Sequence, residues 1–234
     1  MNGGGTDLPE AVHELPDQAI QSLTRLVEML SGDPGAPSAV RDPADAWRVH
    51  VADSLSGLGF AELAGAERVA DVGSGAGLPG LVLAAALPEA RVDLIESVER
   101  KCDFIRLAGD RMPVSNARVV CDRSETWAAG GGREAYDAVT ARAVGRLSTL
   151  AELASPLLAD DGALVAWKGR RDPDEEAELE RAAPRLAMRP VEVRWVGPYA
   201  GSRNRHLHLM RKSGPTPENL PRRPGIAKKR PLGG

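Results

Sequence analysis

Apolar and polar positions along this chain fall into two regimes. From Pro9 to Leu30 the apolar residues Val12, Leu15, Ala19, Ile20, Leu23, Leu26, Val27 and Leu30 recur at helical intervals, which predicts an amphipathic helix or a helical pair. Gly32-Asp33-Pro34-Gly35-Ala36-Pro37 breaks the pattern. A second helix is expected from about Asp42-Pro43 to Gly57, and a short element through Phe60-Ala61-Glu62-Leu63 follows it. From Arg68 onward, short aliphatic runs alternate with helical segments, the mark of a parallel sheet with helices on both faces. Strands are expected at 68–73, 91–96, 117–122, 136–141, 162–168, 190–196 and 205–211, and helices at 79–87, 99–112, 146–158 and 174–187. Short connections and right-handed crossovers make this α/β pattern a doubly wound, mostly parallel seven-stranded sheet. The chain then divides into an N-terminal helical cap (1–65), a sheet domain (66–212) and a C-terminal tail (213–234).

The first strand, through Val72, breaks into a glycine-rich turn, Gly73 to Gly77, that leads into a helix. Glycine has no Cβ, so the backbone can turn at positive φ and a ligand can lie against its amides. Pro79 suits the first helical turn, where a missing N–H costs nothing. Glu96 ends the next strand, the position from which a carboxylate accepts ribose hydroxyls. The stretch therefore reads as a nucleotide-cofactor loop, with two readings open. Gly75-Ala76-Gly77-Leu78-Pro79-Gly80 matches the dinucleotide fingerprint G-x-G-x-x-G, which says little by itself. The longer pattern Asp71-x-Gly73-x-Gly75-x-Gly77 resembles motif I of class I S-adenosylmethionine-dependent methyltransferases. A sulfonium cofactor has no pyrophosphate to cradle, so an acid beside the loop is compatible with it, whereas Asp71 sits badly beside phosphate.

Ligands in such sheets bind beyond the carboxyl ends of the strands. Those ends are Gly73, Glu96, Asp122-Arg123-Ser124-Glu125, Thr140-Ala141-Arg142-Ala143 and Lys168-Gly169. Ser124 and Glu125 stand where an adenine edge would lie, and Arg142 and Lys168 are candidates to face substrate. His50, Asp53 and Ser54 share one helical face without a nucleophile elbow, so packing and hydrogen bonding against the sheet is expected of them rather than a hydrolytic triad.

Composition adds bounds. The 234 residues allow one α/β domain with an appendage. Hydrophobic residues make up 42% but aromatics only 3%, so Leu, Val and Ala must fill most of the core. The longest apolar run, Leu81 to Leu87, is far short of a membrane span, and Met1-Asn2-Gly3-Gly4-Gly5 lacks signal character. A cytoplasmic protein is expected. Cys102 and Cys121 belong to no metal-binding pattern and are expected as reduced core thiols, with no metal. The net charge of −3 argues against a uniformly basic nucleic-acid binder. It conceals an asymmetry: residues 1–46 carry eight acids against two bases, whereas 203–230 carry nine bases against one acid. The latter is an electrostatic footprint for polyanions or a solvated basic tail.

Several pieces together resemble the RsmG (GidB) methyltransferases: Val40-Arg41-Asp42-Pro43, His50-x-x-Asp53-Ser54, Asp71 through Gly80, Glu96-Ser97 with Arg100-Lys101, and Arg123-x-Glu125. To these add Ala141-Arg142-Ala143, Trp167-Lys168-Gly169, Arg205-His206-Leu207 and Pro221-Arg222-Arg223-Pro224-Gly225-Ile226. The resemblance covers nearly the whole chain from Val40, and the loop ending Leu78-Pro79-Gly80 is its most specific part. It implies S-adenosylmethionine bound by Gly73, Leu78, Ser124, Glu125 and Arg142, with Glu96 at the ribose, beside Gly75 and Gly77 of the loop. The implied target is N7 of a guanine in 16S ribosomal RNA, position 527 of the decoding-region loop, with the 16S RNA or small ribosomal subunit as partner and neither membrane nor DNA. Ser31 to Ser38 departs from the family, which commonly carries Trp-Asn and Asn-Leu-Thr there, and this puts the cap's contacts in question.

Guanine N7 carries a lone pair and no proton, so the implied reaction needs no general base, and alignment of N7, methyl and sulfur does most of the work. Arg142 and Lys168 then suit phosphate or guanine O6. Arg203, Arg205, Arg222, Arg223, Lys228, Lys229 and Arg230 are candidates for salt-sensitive contacts to the RNA backbone. Trp195 and Tyr199 are the candidates for stacking on loop bases. An NAD-dependent oxidoreductase and a non-catalytic RNA-binding ribosome-assembly factor remain the alternatives. No second domain is left to hold the oxidoreductase's substrate.

Overall fold

The computed structural model describes residues 8–142 and 144–234; Met1 to Asp7, with the expected signal-free start Met1 to Gly5, and Ala143 lie outside the described residues. The N-terminal periodicity resolves into a helical pair, α1 (Glu10–His13) and α2 (Asp17–Gly32). α2 turns Leu23, Leu26, Val27 and Leu30 inward on one face. Asp42 caps α3 (Pro43–Ala46) by accepting the Asp45 N–H at 2.8 Å, with Pro43 at the first helical position. The single helix expected to Gly57 instead changes pitch: a π-helical stretch Trp47–Ala52, α4 (Asp53–Leu55) and a 3₁₀ turn Ser56–Gly59 lead to α5 (Ala61–Ala64).

The sheet contains β1 (Arg68–Val72), β2 (Arg91–Glu96), β3 (Ala117–Cys121), β4 (Tyr136–Arg142), β5 (Leu158–Lys168), β6 (Met188–Trp195) and β7 (His206–Lys212). Their order is β3-β2-β1-β4-β5-β7-β6. β1 to β5 are parallel, while β7 runs antiparallel to both β5 and β6. The strands are linked by α6 (Gly80–Ala86), α7 (Glu99–Arg111), α8 (Ser124–Ala128), α9 (Leu147–Ala154) and α10 (Pro173–Ala182), and α11 (Ile226–Lys229) lies near the end of the chain. β5 begins at Leu158, ahead of the expected 162, because α9 stops at Ala154 and Leu158 pairs with Tyr136 before the register shifts. In the sequence, Asp160-Asp161-Gly162 disguises this as a turn.

Side chains alternating across the strands feed two cores. On one face Val69, Val92, Leu94 and Val165 pack with Leu81, Ile105 and the α2 leucines. On the other, Ala70, Ile95, Val139 and Leu164 pack with Leu150, Leu179 and, from the tail, Leu220, Ala227 and Leu232. Both ends of the chain thus contribute to the cores flanking the sheet.

The expectation for the cysteines is overturned: Cys102 and Cys121 are joined as a disulfide, with Cα atoms 5.8 Å apart, inside the range a disulfide spans. The β2–α7–β3 unit brings the first turns of α7 against the end of β3, a proximity with no signature in the spacing of the two residues.

Lys212 is fully buried at the end of β7. Its three ammonium donors reach Glu134 Oε1 (2.9 Å), the Leu158 carbonyl (2.6 Å) and Thr216 Oγ1 (2.8 Å). Glu134 also accepts the Thr216 N–H and hydroxyl. The Thr216 hydroxyl contact, followed by the ammonium, holds its carboxyl down at about 2. This knot pins the point where the tail leaves the sheet. Because Glu134 is 39% exposed, Lys212→Met strands no buried charge and is expected to cost about 1–2 kcal/mol of unfolding free energy in urea titration, from the lost donors to the Leu158 carbonyl and Thr216, whereas an unchanged midpoint and slope would show that the knot contributes nothing net.

Candidate functional site

The β1–α6 loop is shaped by acids on two sides. Asp71 is completely buried; Oδ2 accepts the Gly80 N–H (3.0 Å), Oδ1 accepts the Thr140 hydroxyl (3.0 Å), and its carbonyl accepts the Ser74 hydroxyl (2.9 Å). The acid expected beside the cofactor therefore lies beneath the loop. Burial pushes its carboxyl up to about 6 against these stabilising bonds. Gly80 is the only residue type that fits above it, since a Cβ there would stand 2.7 Å from Leu94 Cδ2 and 2.9 Å from Asp71 Oδ2. Glu96 works from the other side: Oε2 accepts the Gly75 N–H at 3.1 Å and lies 3.9 Å from Lys101 Nζ, while Oε1 accepts the Ser97 and Val98 N–H groups. Gly73, Gly75 and Gly77 all have positive φ, at 70°, 61° and 82°.

At the carboxyl ends of β1, β2 and β3 this loop borders a cavity of about 520 Å³. Gly73, Glu96, Ser124 and Glu125 line it together with Ile95, Val144, Thr149 and Leu153. Gly75 and Gly77 stand in the loop outside that lining, and Leu78 is buried in the core. A hydrogen-bonding acid at the ribose position, polar groups beyond it and an aliphatic wall between them fit an adenosyl cofactor. A pyrophosphate fits poorly, because the Gly75 and Gly80 amides that would serve it are already given to carboxylates.

Arg142 does not line this cavity. It enters a neighbouring one of about 300 Å³ at the ends of β4 and β5, with His50, Asp53, Lys168, Arg205 and His206. Arg142 Nη1 donates to Asp53 Oδ2 at 3.1 Å, and Arg205 Nε lies 3.4 Å from Asp53 Oδ1, so one buried carboxylate sits between two guanidiniums. Lys168 Nζ donates to the Gly145 carbonyl (2.9 Å) and Glu175 Oε1 (2.7 Å). Burial, reinforced by Arg142, lowers the His50 pKa to about 4, which leaves the imidazole neutral. Ser54 Oγ donates to the His50 carbonyl rather than facing the imidazole, and the Trp167 indole donates to the Asp53 carbonyl. The His50-Asp53-Ser54 face thus braces the helix against the sheet.

The basic candidates separate. Arg203, Arg223 and Arg230 are exposed. Arg205 faces the second cavity and contacts Tyr199 Oη at 3.4 Å. Arg222 grips buried Glu152, and Lys228 and Lys229 are exposed residues at the wall of the first cavity. Trp195 stands 62% exposed. Sequence reading missed Thr149, Leu153 and the tail as lining residues, for which no local signal exists. It also missed the Asp53 to Arg142 pairing, which a buried acid within a quoted motif could have suggested. Among the described residues no helix is long and apolar enough to cross a membrane.

A family model described as rRNA small subunit methyltransferase G (GidB) matches residues 21–207. The ribosomal RNA small subunit methyltransferase G of Rubrobacter xylanophilus is 44% identical over 199 residues, 83% of this chain and 76% of that protein. Its counterpart from a Thermotoga strain is 38% identical over 213 residues, 91% of each. Among solved structures, a predicted O-methyltransferase from Agrobacterium tumefaciens is similar at TM-score 0.52 and 25% identity, over 63% of this chain and 74% of that one. A branched-chain polyamine synthase from Thermus thermophilus, in complex with 5′-methylthioadenosine, shares the fold at TM-score 0.60 and 15% identity, over 89% of this chain and 68% of its own.

The buried Asp71 yields a pH prediction. With a folded pKa near 6 against an ordinary 3.8, the native state holds a proton that the unfolded chain releases. Its contribution to stability is full below about pH 4 and is lost as pH rises through 6. Asp71→Asn, which stays neutral, should therefore gain on the wild type in melting temperature between pH 4.5 and 7.5; a constant difference across that range counts against the shift.

Proposed function

Because the chain belongs to the rRNA small subunit methyltransferase G family, we propose that it methylates N7 of a guanine in 16S ribosomal RNA, the position-527 site of the decoding-region loop. Its setting is the cytoplasm, with 16S RNA or the small subunit as partner. The family is one of S-adenosylmethionine-dependent methyltransferases. The observation that carries the reading is the paired arrangement of cavities: an adenosyl-shaped one at the ends of β1 to β3 and a cation-lined one at the ends of β4 and β5. The cap (1–65) and tail (213–234) flank the cofactor-binding domain (66–212).

S-adenosylmethionine supplies, when bound, an electrophilic methyl group on a sulfonium. The chain's own residues orient it and the base. Gly73 lets the loop backbone approach the cofactor, Glu96 takes the ribose hydroxyls, and Ser124 and Glu125 meet the adenine. Arg142, with its guanidinium fixed by Asp53, and Lys168, fixed by Glu175, present cations to guanine O6 or a flanking phosphate while leaving N7 free to attack. No proton leaves N7, so no residue acts as general base. The exposed Arg203, Arg223, Lys228, Lys229 and Arg230 hold RNA phosphates through salt-sensitive contacts.

Incubation with S-adenosylmethionine and either naked 16S RNA or small subunits from a strain lacking the modification should give alkali-labile cleavage at one guanosine; absence of new cleavage on both substrates removes the methyltransferase reading. Arg142→Lys, which keeps a cation beside the buried Asp53 but loses the guanidinium geometry, should lower turnover about 100-fold through lost alignment while the melting temperature stays within a few degrees. Single-turnover rates should also be flat between pH 6 and 8, because guanine N7 carries no proton there, guanine N1–H ionises only at higher pH, and His50 lies near 4; a rising limb in that range would point to a general base.

A further inference from the structure

The tail after β7 lies beyond the matched segment 21–207, yet it builds a wall of the first cavity. Leu220, Ala227 and Leu232 are buried on the α9 and α10 side of the sheet. Arg222 reaches Glu152, which is 3% exposed, through Nε at 2.6 Å and Nη2 at 2.5 Å. Nη2 also donates to the Arg230 carbonyl at 2.8 Å, so one guanidinium fastens both ends of the intervening turn. The Thr149 hydroxyl donates to the Ala227 carbonyl at 3.3 Å. Gly225, at φ 80°, turns its N–H onto Glu125 Oε1 at 2.7 Å. Pro224, Gly225, Ala227 and Lys228 consequently face the cavity.

The strand order says which end of the cavity this is. The glycine loop follows β1, the ribose acid Glu96 ends β2, and Glu125 follows β3, so Gly225 meets the cavity at the end farthest from the loop, where the nucleobase lies, while Ala227 reaches across to α9. We propose that Pro224–Lys229 is a cofactor-binding element that closes the adenine end. Gly225 occupies one oxygen of the Glu125 carboxylate and fixes its plane. Among the described residues the other, Oε2, accepts a hydrogen bond only from the Ser124 hydroxyl, at 3.3 Å, and is left to accept from the 6-amino group of the purine. A 6-oxo purine has no donor there and is rejected. The inference rests on the S-adenosylmethionine reading above.

Two measurements test it. Calorimetry compares S-adenosylhomocysteine with S-inosylhomocysteine on the full-length protein and on the double variant Arg222→Met/Glu152→Met, which removes the clamp without stranding a buried charge. The wild type should prefer the adenosyl compound at least tenfold, and the variant should bind it about tenfold more weakly with the preference reduced towards unity. The second measurement needs no variant: trypsin cleaves after the exposed Lys228 and Lys229, and S-adenosylhomocysteine at ten times its dissociation constant should slow that cleavage about tenfold if the tail must open. A wild type that binds neither compound sinks the cofactor reading itself. Binding with unchanged affinity and preference in the variant, or cleavage indifferent to the ligand, overturns the tail's role and leaves the cofactor reading standing.

Discussion

The carboxylate of Asp71 is the contact on which the cofactor side of the molecule turns. Placed at the centre of the sheet with no access to water, it is bonded to the first amide of α6 and to the Thr140 hydroxyl of β4, while its own carbonyl takes the Ser74 hydroxyl. One residue thus joins two strands, a loop and a helix start. A buried charge is costly unless bonded, and the geometry answers that cost with backbone donors the loop would otherwise present to its ligand. Together with Glu96 on the opposite flank, it converts a glycine sequence suited to phosphate into one suited to a nucleoside.

Regular elements were largely legible because their signal is local. Apolar alternation placed β1 to β4 within a residue or two, and helical spacing placed α2, α6 and α7. What was illegible depends on partners distant in sequence. Arg142 finds Asp53, Lys212 finds Glu134 and Arg222 finds Glu152 across separations of 89, 78 and 70 residues, and no window of charge or hydropathy contains both members of such a pair. The basic run from Arg203 to Arg230 illustrates the consequence: counted along the chain it is a uniform patch, but folded it divides into cations committed to buried acids and cations left on the surface. The disulfide escaped for the same reason, since Cys102 and Cys121 meet only once the sheet exists. The changes of helical pitch across Trp47–Gly59 were hidden because each stretch lasts only one or two turns, too short for a different period of apolar positions to show.

The two cavities differ in how they treat charge. Around the first, carboxylates point at backbone amides and shape a neutral, half-aliphatic slot. In the second, the cations come already paired, Arg142 and Arg205 on Asp53 and Lys168 on Glu175. On the proposed reading, such pairing fixes their positions before RNA arrives, so little side-chain entropy remains to be lost at docking. It would also weaken indiscriminate attraction of polyanions to this cavity and leave long-range steering to the exposed lysines and arginines on the tail.

The position of β7 carries a further consequence for how the chain reaches this state. β6 touches the sheet only through β7, and β7 is made after it. During synthesis, therefore, residues 188–195 emerge with no strand to join, and they wait through the connecting segment until residues 206–212 are available to slot in beside β5. Their charged Arg189, Glu192 and Arg194 keep this orphan strand from pairing with a neighbouring nascent chain. Sheet assembly thus waits for residues 206–212, and only then can residues 213–234 settle against α9 and α10.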